Sequence, residues 1–159
     1  MSFDTPAGTR GSRQASGPLD RWLDKLAARP VGRRVFRRFM GCDVLVLTTI
    51  GRKSGTEHTT PVGGFPGKDG SWLIVASAGG TAANPAWYYN IAARPGRVQI
   101  EVEGHRVAVT AEQLHGAERA EAWQQITAAA PQFARFQSKT DRELPVIRLT
   151  PRSGSKAPH

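Results

Sequence analysis

The sequence predicts an α+β fold built on an antiparallel β-barrel with flanking helices. Short β-branched and apolar runs recur between glycine-containing turns. Helical patterns lie at the ends of that series and between its strands, and the order is wrong for a doubly wound βαβ sheet. At 159 residues and 17.2 kDa, the chain has room for one ordinary hydrophobic core. Hydrophobic residues at 39% and charged residues at 22% fit a globular composition.

Residues 1–17 are small, polar and Gly/Ser-rich, and are expected to form a disordered leader ahead of a single domain over 18–151. From Pro18, the spacing of Leu19, Trp22, Leu23 and Leu26 predicts a helix, which Pro30 interrupts. A second basic amphipathic helix follows, with Val31, Val35 and Phe39 on one face and Arg33, Arg34, Arg37 and Arg38 on the other. Strands are expected over Asp43–Ile50, His58–Phe65 and Ser71–Ser77, with PGKDG as the reversal between the last two. A short helix over Pro85–Ala93 would use Asn84 as N-cap and Pro85 at its first position. Arg97–Glu103 and His105–Ala111 read as a hairpin around Gly104, Ala117–Ala129 as a helix, and Leu144–Leu149 as a last strand. The tail over 152–159 reads as disordered.

Composition and motif content exclude several chemistries. The single cysteine, Cys42, rules out an internal disulfide framework and a multi-cysteine metal site. There is no G-x-G-x-x-G and no G-x-S-x-G, and Gly67-Lys68 lacks the upstream glycine and following Ser/Thr of a P-loop, having Val62 and Asp69 there. His58, His105, His115 and His159 show no metal-ligand spacing, so no metal is expected. The absence of a membrane-length apolar run or a secretory signal makes the expected compartment cytoplasmic.

The net charge of +9 is concentrated in residues 1–40, which hold nine Lys/Arg against three Asp/Glu. Such a segment suits an anionic membrane surface, nucleic acid or an anionic cofactor. Without an interleaved stacking platform or a recognition helix, nucleic acid is not expected as a partner. Peripheral contact with an anionic membrane, on the inner face of the cell membrane, is an added expectation.

Two segments have the composition of a site. In Thr48–Gly55, a strand runs into a glycine-bounded cationic turn: Arg52 can grip phosphate bidentately, Lys53 adds a point charge and Ser54 a hydroxyl. Alone, this is better read as a solvated hairpin turn. In Ala76–Asn90, a strand ends at Ser77-Ala78-Gly79-Gly80 and a helix starts at Pro85 beside Trp87, Tyr88 and Tyr89. Glycines admit a planar ring close to the backbone; Tyr88 and Tyr89 read as packing residues.

The succession TTIGRKSG, VASAGG, NPAWYYNIAARPGRVQIEV and AEAWQQITAAAPQFARFQSKTDRELPVIRL resembles the deazaflavin (F420)-dependent nitroreductase and F420H2-dependent quinone reductase family of actinobacteria, over about residues 33–151. The resemblance implies a split β-barrel of mainly antiparallel strands, like the flavin reductases and FMN-binding barrels, that binds coenzyme F420. It implies that Arg52, Lys53 and Ser54 form the phosphate-binding turn, with His58 where relatives commonly have a third arginine. It places Ser77, Ala78, Gly79 and Gly80 against the deazaflavin ring, Ala78 standing where a lysine is frequent, with Pro85 and Trp87 at the flanking helix start. The substrate-facing tyrosines of the nitroreductase correspond to Ala130, Phe133 and Phe136, a more apolar wall.

The implied activity is hydride transfer from reduced F420 to a small hydrophobic acceptor such as a quinone, enone or nitroaromatic. Trp87, Phe133 and Phe136 would cover the acceptor, and Ser77 would orient the cofactor or the acceptor oxygen. An F420-binding or carrier protein with little turnover, and an FMN-binding split-barrel reductase, are the alternatives. The chain is expected to be a monomer or a homodimer.

Overall fold

The computed structural model describes residues 3, 5–9, 41–77, 80, 82–102 and 104–152. The helices expected between residues 18 and 40, and the tail beyond Arg152, lie outside the described residues.

Six strands close into a barrel: β1 (Asp43–Ile50), β2 (Glu57–Pro66), β3 (Trp72–Val75), β4 (Val98–Val102), β5 (His105–Gln113) and β6 (Val146–Pro151). The order around the barrel is β1-β2-β3-β6-β5-β4, and β4 pairs back onto β1. Every neighbouring pair is antiparallel, so the predicted fold class holds. Three helices accompany the strands: α1 (Ala86–Ala93), α2 (Gly116–Ala129) and α3 (Gln132–Lys139). Among the described residues no helix is long and apolar enough to cross a membrane.

Strand alternation divides the apolar residues into two cores. Leu45 and Leu47 of β1, Ile74 of β3, Val98 and Ile100 of β4, Val107 and Val109 of β5, and Ile147 and Leu149 of β6 fill the barrel with Tyr88 and Ile91 of α1. The opposite faces of β1, β3 and β6 supply Val44, Leu73, Val75 and Val146, which pack with Ala122 and Ile126 of α2 and Phe133 of α3. Strand β1 therefore has apolar residues on both faces, giving the unbroken run seen in its sequence. Cys42 is buried beside it, and burial, with a smaller contribution from Asp43, pushes its thiol up to about 12.

The structure corrects two local expectations. Helix α1 begins at Ala86 with Pro85 as N-cap, one residue later than predicted. Asn84 is buried and spends its amide elsewhere: its Oδ1 accepts from Arg142 Nη1 at 2.8 Å and its Nδ2 donates to Thr5 O at 2.9 Å. Most strand ends also shift by one or two residues, β6 for example running from Val146 rather than Leu144.

Of the leader expected over residues 1–17, only Phe3 and the stretch from Thr5 to Thr9 are described, and these are docked on the barrel. Tyr88 donates to Gln113 Oε1 at 2.6 Å, Gln113 Nε2 donates to Thr5 Oγ1 at 2.7 Å, and Thr5 N donates to the Tyr88 hydroxyl at 3.1 Å. This ring of bonds pairs the polar groups that α1 and β5 bury at the barrel end. Phe3 lies edge-on to Tyr88, Gly8 N donates to Ala82 O, and Thr9 N donates to Asp141 Oδ1.

Candidate functional site

The β1–β2 hairpin turn is held open by its own backbone and by α1. Gly51 N donates to Thr56 O, and Gly55 N to Gly51 O, both at 2.8 Å. A side chain at Gly51 would push aside Ser54 Oγ and His58 Nε2, so glycine lets both approach the turn closely. Asn90 of α1 accepts from Arg52 N at 3.1 Å through Oδ1 and donates to Thr49 Oγ1 at 3.2 Å through Nδ2. One turn further along, Arg94 Nη1 donates to Gly51 O at 3.1 Å. The helix and its C-cap residue thus fix the turn by two side chains of opposite hydrogen-bonding sense.

Above this brace the turn presents its charges. Arg52, Lys53, Ser54 and His58 are exposed, and among the described residues neither cation has a carboxylate partner. The Arg52 guanidinium lies 4.6 Å from the centre of the Tyr89 ring, which restrains it as a cation–π pair. Ser54 Oγ and Thr56 Oγ1 are 2.8 Å apart, and each lies 3.4 Å from His58 Nε2. Between the turn, the start of β2 and the start of α1 is a cleft of about 410 Å³, lined by Arg52, Lys53, Ser54, His58, Thr59, Thr60, Trp87 and Asn90 among others. Cations and donors occupy one side, and the half-buried Trp87 supplies a flat apolar side.

Of the residues singled out by sequence, Arg52, Lys53, Ser54, His58 and Trp87 are brought together here. Ala78 and Gly79 lie outside the described residues. Ser77 follows β3, half-buried; its carbonyl accepts from Arg142 Nη2 and Gly80 N, both at 2.9 Å. Gly80 has φ +83°, and a Cβ there would sit 2.5 Å from the Phe136 carbonyl oxygen. Its glycine is therefore demanded by helix α3. Pro85 caps α1 without lining the cleft.

Phe133 and Phe136 do not join Trp87. Phe133 is a core residue, packed edge-on against Phe65 and Phe136 in the cluster under α2 and α3, whereas Trp87 packs on the barrel interior. The expected three-residue aromatic wall is split between two cores because α3 directs Phe133 inward. Sequence reading missed Asn90, Arg94 and Arg142. Their partners are main-chain, hydroxyl and amide groups tens of residues away, which no spacing in the sequence marks.

Comparison with known proteins places the chain among relatives. The family of F420H(2)-dependent quinone reductases matches residues 20–151. The chain belongs to this family. An F420H(2)-dependent quinone reductase of Mycobacterium tuberculosis strain H37Rv is 34% identical over 150 residues, covering 84% of this chain and 99% of the relative. A solved F420-H2 dependent reductase has a TM-score of 0.60 at 34% identity, covering 67% of this chain and 92% of that one. A second solved chain, described as a domain-swapped dimer, has a TM-score of 0.61 at 30% identity, covering 75% and 96%. Membership makes the protein an oxidoreductase of the F420H2-dependent class, and its cofactor is coenzyme F420.

Proposed function

We propose that the protein transfers a hydride from F420H2 to a small hydrophobic acceptor of the quinone type, with the cofactor's anionic portion held at the cationic turn. The supporting observation is that Arg52 and Lys53, without a carboxylate partner among the described residues, stand on a braced turn at the edge of a cleft whose other side is Trp87. The donor set fits the group. Two cations, a hydroxyl and an imidazole suit phosphate, while an apolar indole suits a planar ring.

When bound, F420H2 supplies the hydride; the chain supplies placement and electrostatics. Arg52 and Lys53 would hold the anionic portion, with Ser54 and His58 as further polar partners, and Trp87 would offer an apolar surface to the planar part. The Ser77 hydroxyl makes no hydrogen bond among the described residues, which leaves it to orient the cofactor or the acceptor oxygen. Solvent at the open side of the cleft delivers the balancing proton. Enones and nitroaromatics are acceptors of the same two-electron kind. The basic residues 1–40 support weak peripheral contact of a cytoplasmic protein with an anionic membrane, tested by sedimentation with anionic liposomes at low and high salt.

The test is a fluorescence titration with F420 against wild type and the double variant Arg52→Ala/Lys53→Ala. We expect the variant to bind at least about tenfold more weakly, a loss of about 1.4 kcal/mol. Equal affinities would reject the cradle. Oxidation of F420H2 by menadione, followed by absorbance, reads the activity itself.

A further inference from the structure

We infer that Arg142 is a positioning residue that sets the Ala76–Asn84 loop and links it to the cationic turn. The inference rests on the proposed placement of the cofactor, since this loop bears Ser77. Arg142 lies between α3 and β6 and is 2% exposed. Its Nη1 donates to Ala76 O and to Asn84 Oδ1, each at 2.8 Å, and its Nη2 donates to Ser77 O at 2.9 Å. One guanidinium therefore ties together Ala76, Ser77 and Asn84, the described residues at the two ends of this connection.

The main chain that carries the guanidinium is itself braced. Gln137 of α3 donates to Arg142 O at 2.7 Å and accepts from Leu144 N at 2.9 Å, while Arg142 N donates to Thr140 Oγ1 at 3.1 Å. Asn84 carries the linkage onward. Its Nδ2 donates to the Tyr89 hydroxyl at 3.3 Å, and the Tyr89 ring lies beneath Arg52. The path Arg142–Asn84–Tyr89–Arg52 thus joins the Ser77 loop to the turn through direct contacts. Burial is the main influence on Arg142 and lowers its pKa from the usual arginine value, with Tyr89 and Tyr88 opposing that shift. A buried cation is costly unless its hydrogen bonds are fulfilled, and a planar fork fulfils three at fixed angles where an ammonium would not. Loop geometry and guanidinium geometry are consequently set together.

The experiment compares wild type, Arg142→Lys, Arg142→Met and Asn84→Ala, each checked by circular dichroism for a cooperative melt. F420 affinity is measured by fluorescence at two ionic strengths, and the KM for F420H2 and for menadione by absorbance. We expect Arg142→Met to weaken F420 binding about tenfold with the salt dependence of wild type retained, Arg142→Lys to recover part of that loss, and the KM for menadione to change less than that for F420H2. Asn84→Ala should lose severalfold and stands in if Arg142→Met does not fold. Wild-type affinity in a folded Arg142→Met or Asn84→Ala protein would overturn the inference. If wild type itself failed to bind F420, the cofactor reading would fall separately. Amide hydrogen exchange over residues 76–84 would then decide, with unchanged protection in Arg142→Lys counting against the positioning role.

Discussion

At the scale of single residues, burial determines what a reactive group can do. Cys42 is 4% exposed and its thiol is pushed up to about 12, so almost no thiolate exists near neutral pH. The sign of the resulting pH dependence follows from an acid whose folded pKa exceeds its unfolded value. Below about pH 9 both states keep the proton and the contribution is complete; as pH rises from 9 towards 12 the unfolded chain ionises first and stability is lost, by at most about 1.4 kcal/mol per pH unit. We expect the difference in urea stability between wild type and Cys42→Ala to shrink over that window, and native Cys42 to react with Ellman's reagent far more slowly than the unfolded chain. Rapid labelling of the native protein would show the thiol to be accessible.

At the scale of elements, helix α1 organises the candidate site: Asn90 and Arg94 hold the hairpin turn, and Tyr88 binds the docked N-terminal stretch. Composition concealed that last contact. A Gly/Ser-rich polar leader ordinarily cannot bury enough apolar surface to offset ordering its backbone. Here, polar groups buried at the barrel end need partners, and Thr5 supplies three of the hydrogen bonds. Deleting residues 1–9 would leave Gln113 Nε2 without Thr5 Oγ1 and Asn84 Nδ2 without Thr5 O. Unfulfilled buried donors cost about 1–3 kcal/mol each, less where water enters. The truncated protein should therefore unfold at lower urea by about 1–3 kcal/mol in total, and Thr5→Val should reproduce part of the loss. Identical unfolding midpoints for full-length and truncated chains would show that the docked stretch contributes nothing.

At the scale of the whole molecule, what the sequence made legible was what has a period or a sign. Val98, Ile100 and Val102 alternate inward, as do Val107, Val109 and Ala111, so the barrel could be read before it was seen. The adjacent Arg52 and Lys53 between glycines could be read as a charged turn. Arg142 could not, because arginine is by default a surface residue and its acceptors Ala76 and Asn84 are 66 and 58 positions away. The packing of Phe133 was equally illegible: its partner Phe65 lies far back in the chain and meets it edge-on across the core. Charge sign also carries a prediction for the complete protein. With a net charge of +9 and an exposed cationic turn at the cleft, an anionic ligand should be attracted both at contact and over a distance. Screening shortens that reach from about 10 Å at 0.1 M salt to about 3 Å at 1 M. F420 affinity should fall severalfold between about 0.05 and 0.5 M sodium chloride, mainly through slower association. In Arg52→Ala/Lys53→Ala the same salt series should be distinctly flatter, because the groups nearest the ligand's charge are gone. Stopped-flow association rates over the series measure both slopes; parallel lines for the two proteins would mean that the attraction originates elsewhere on the surface.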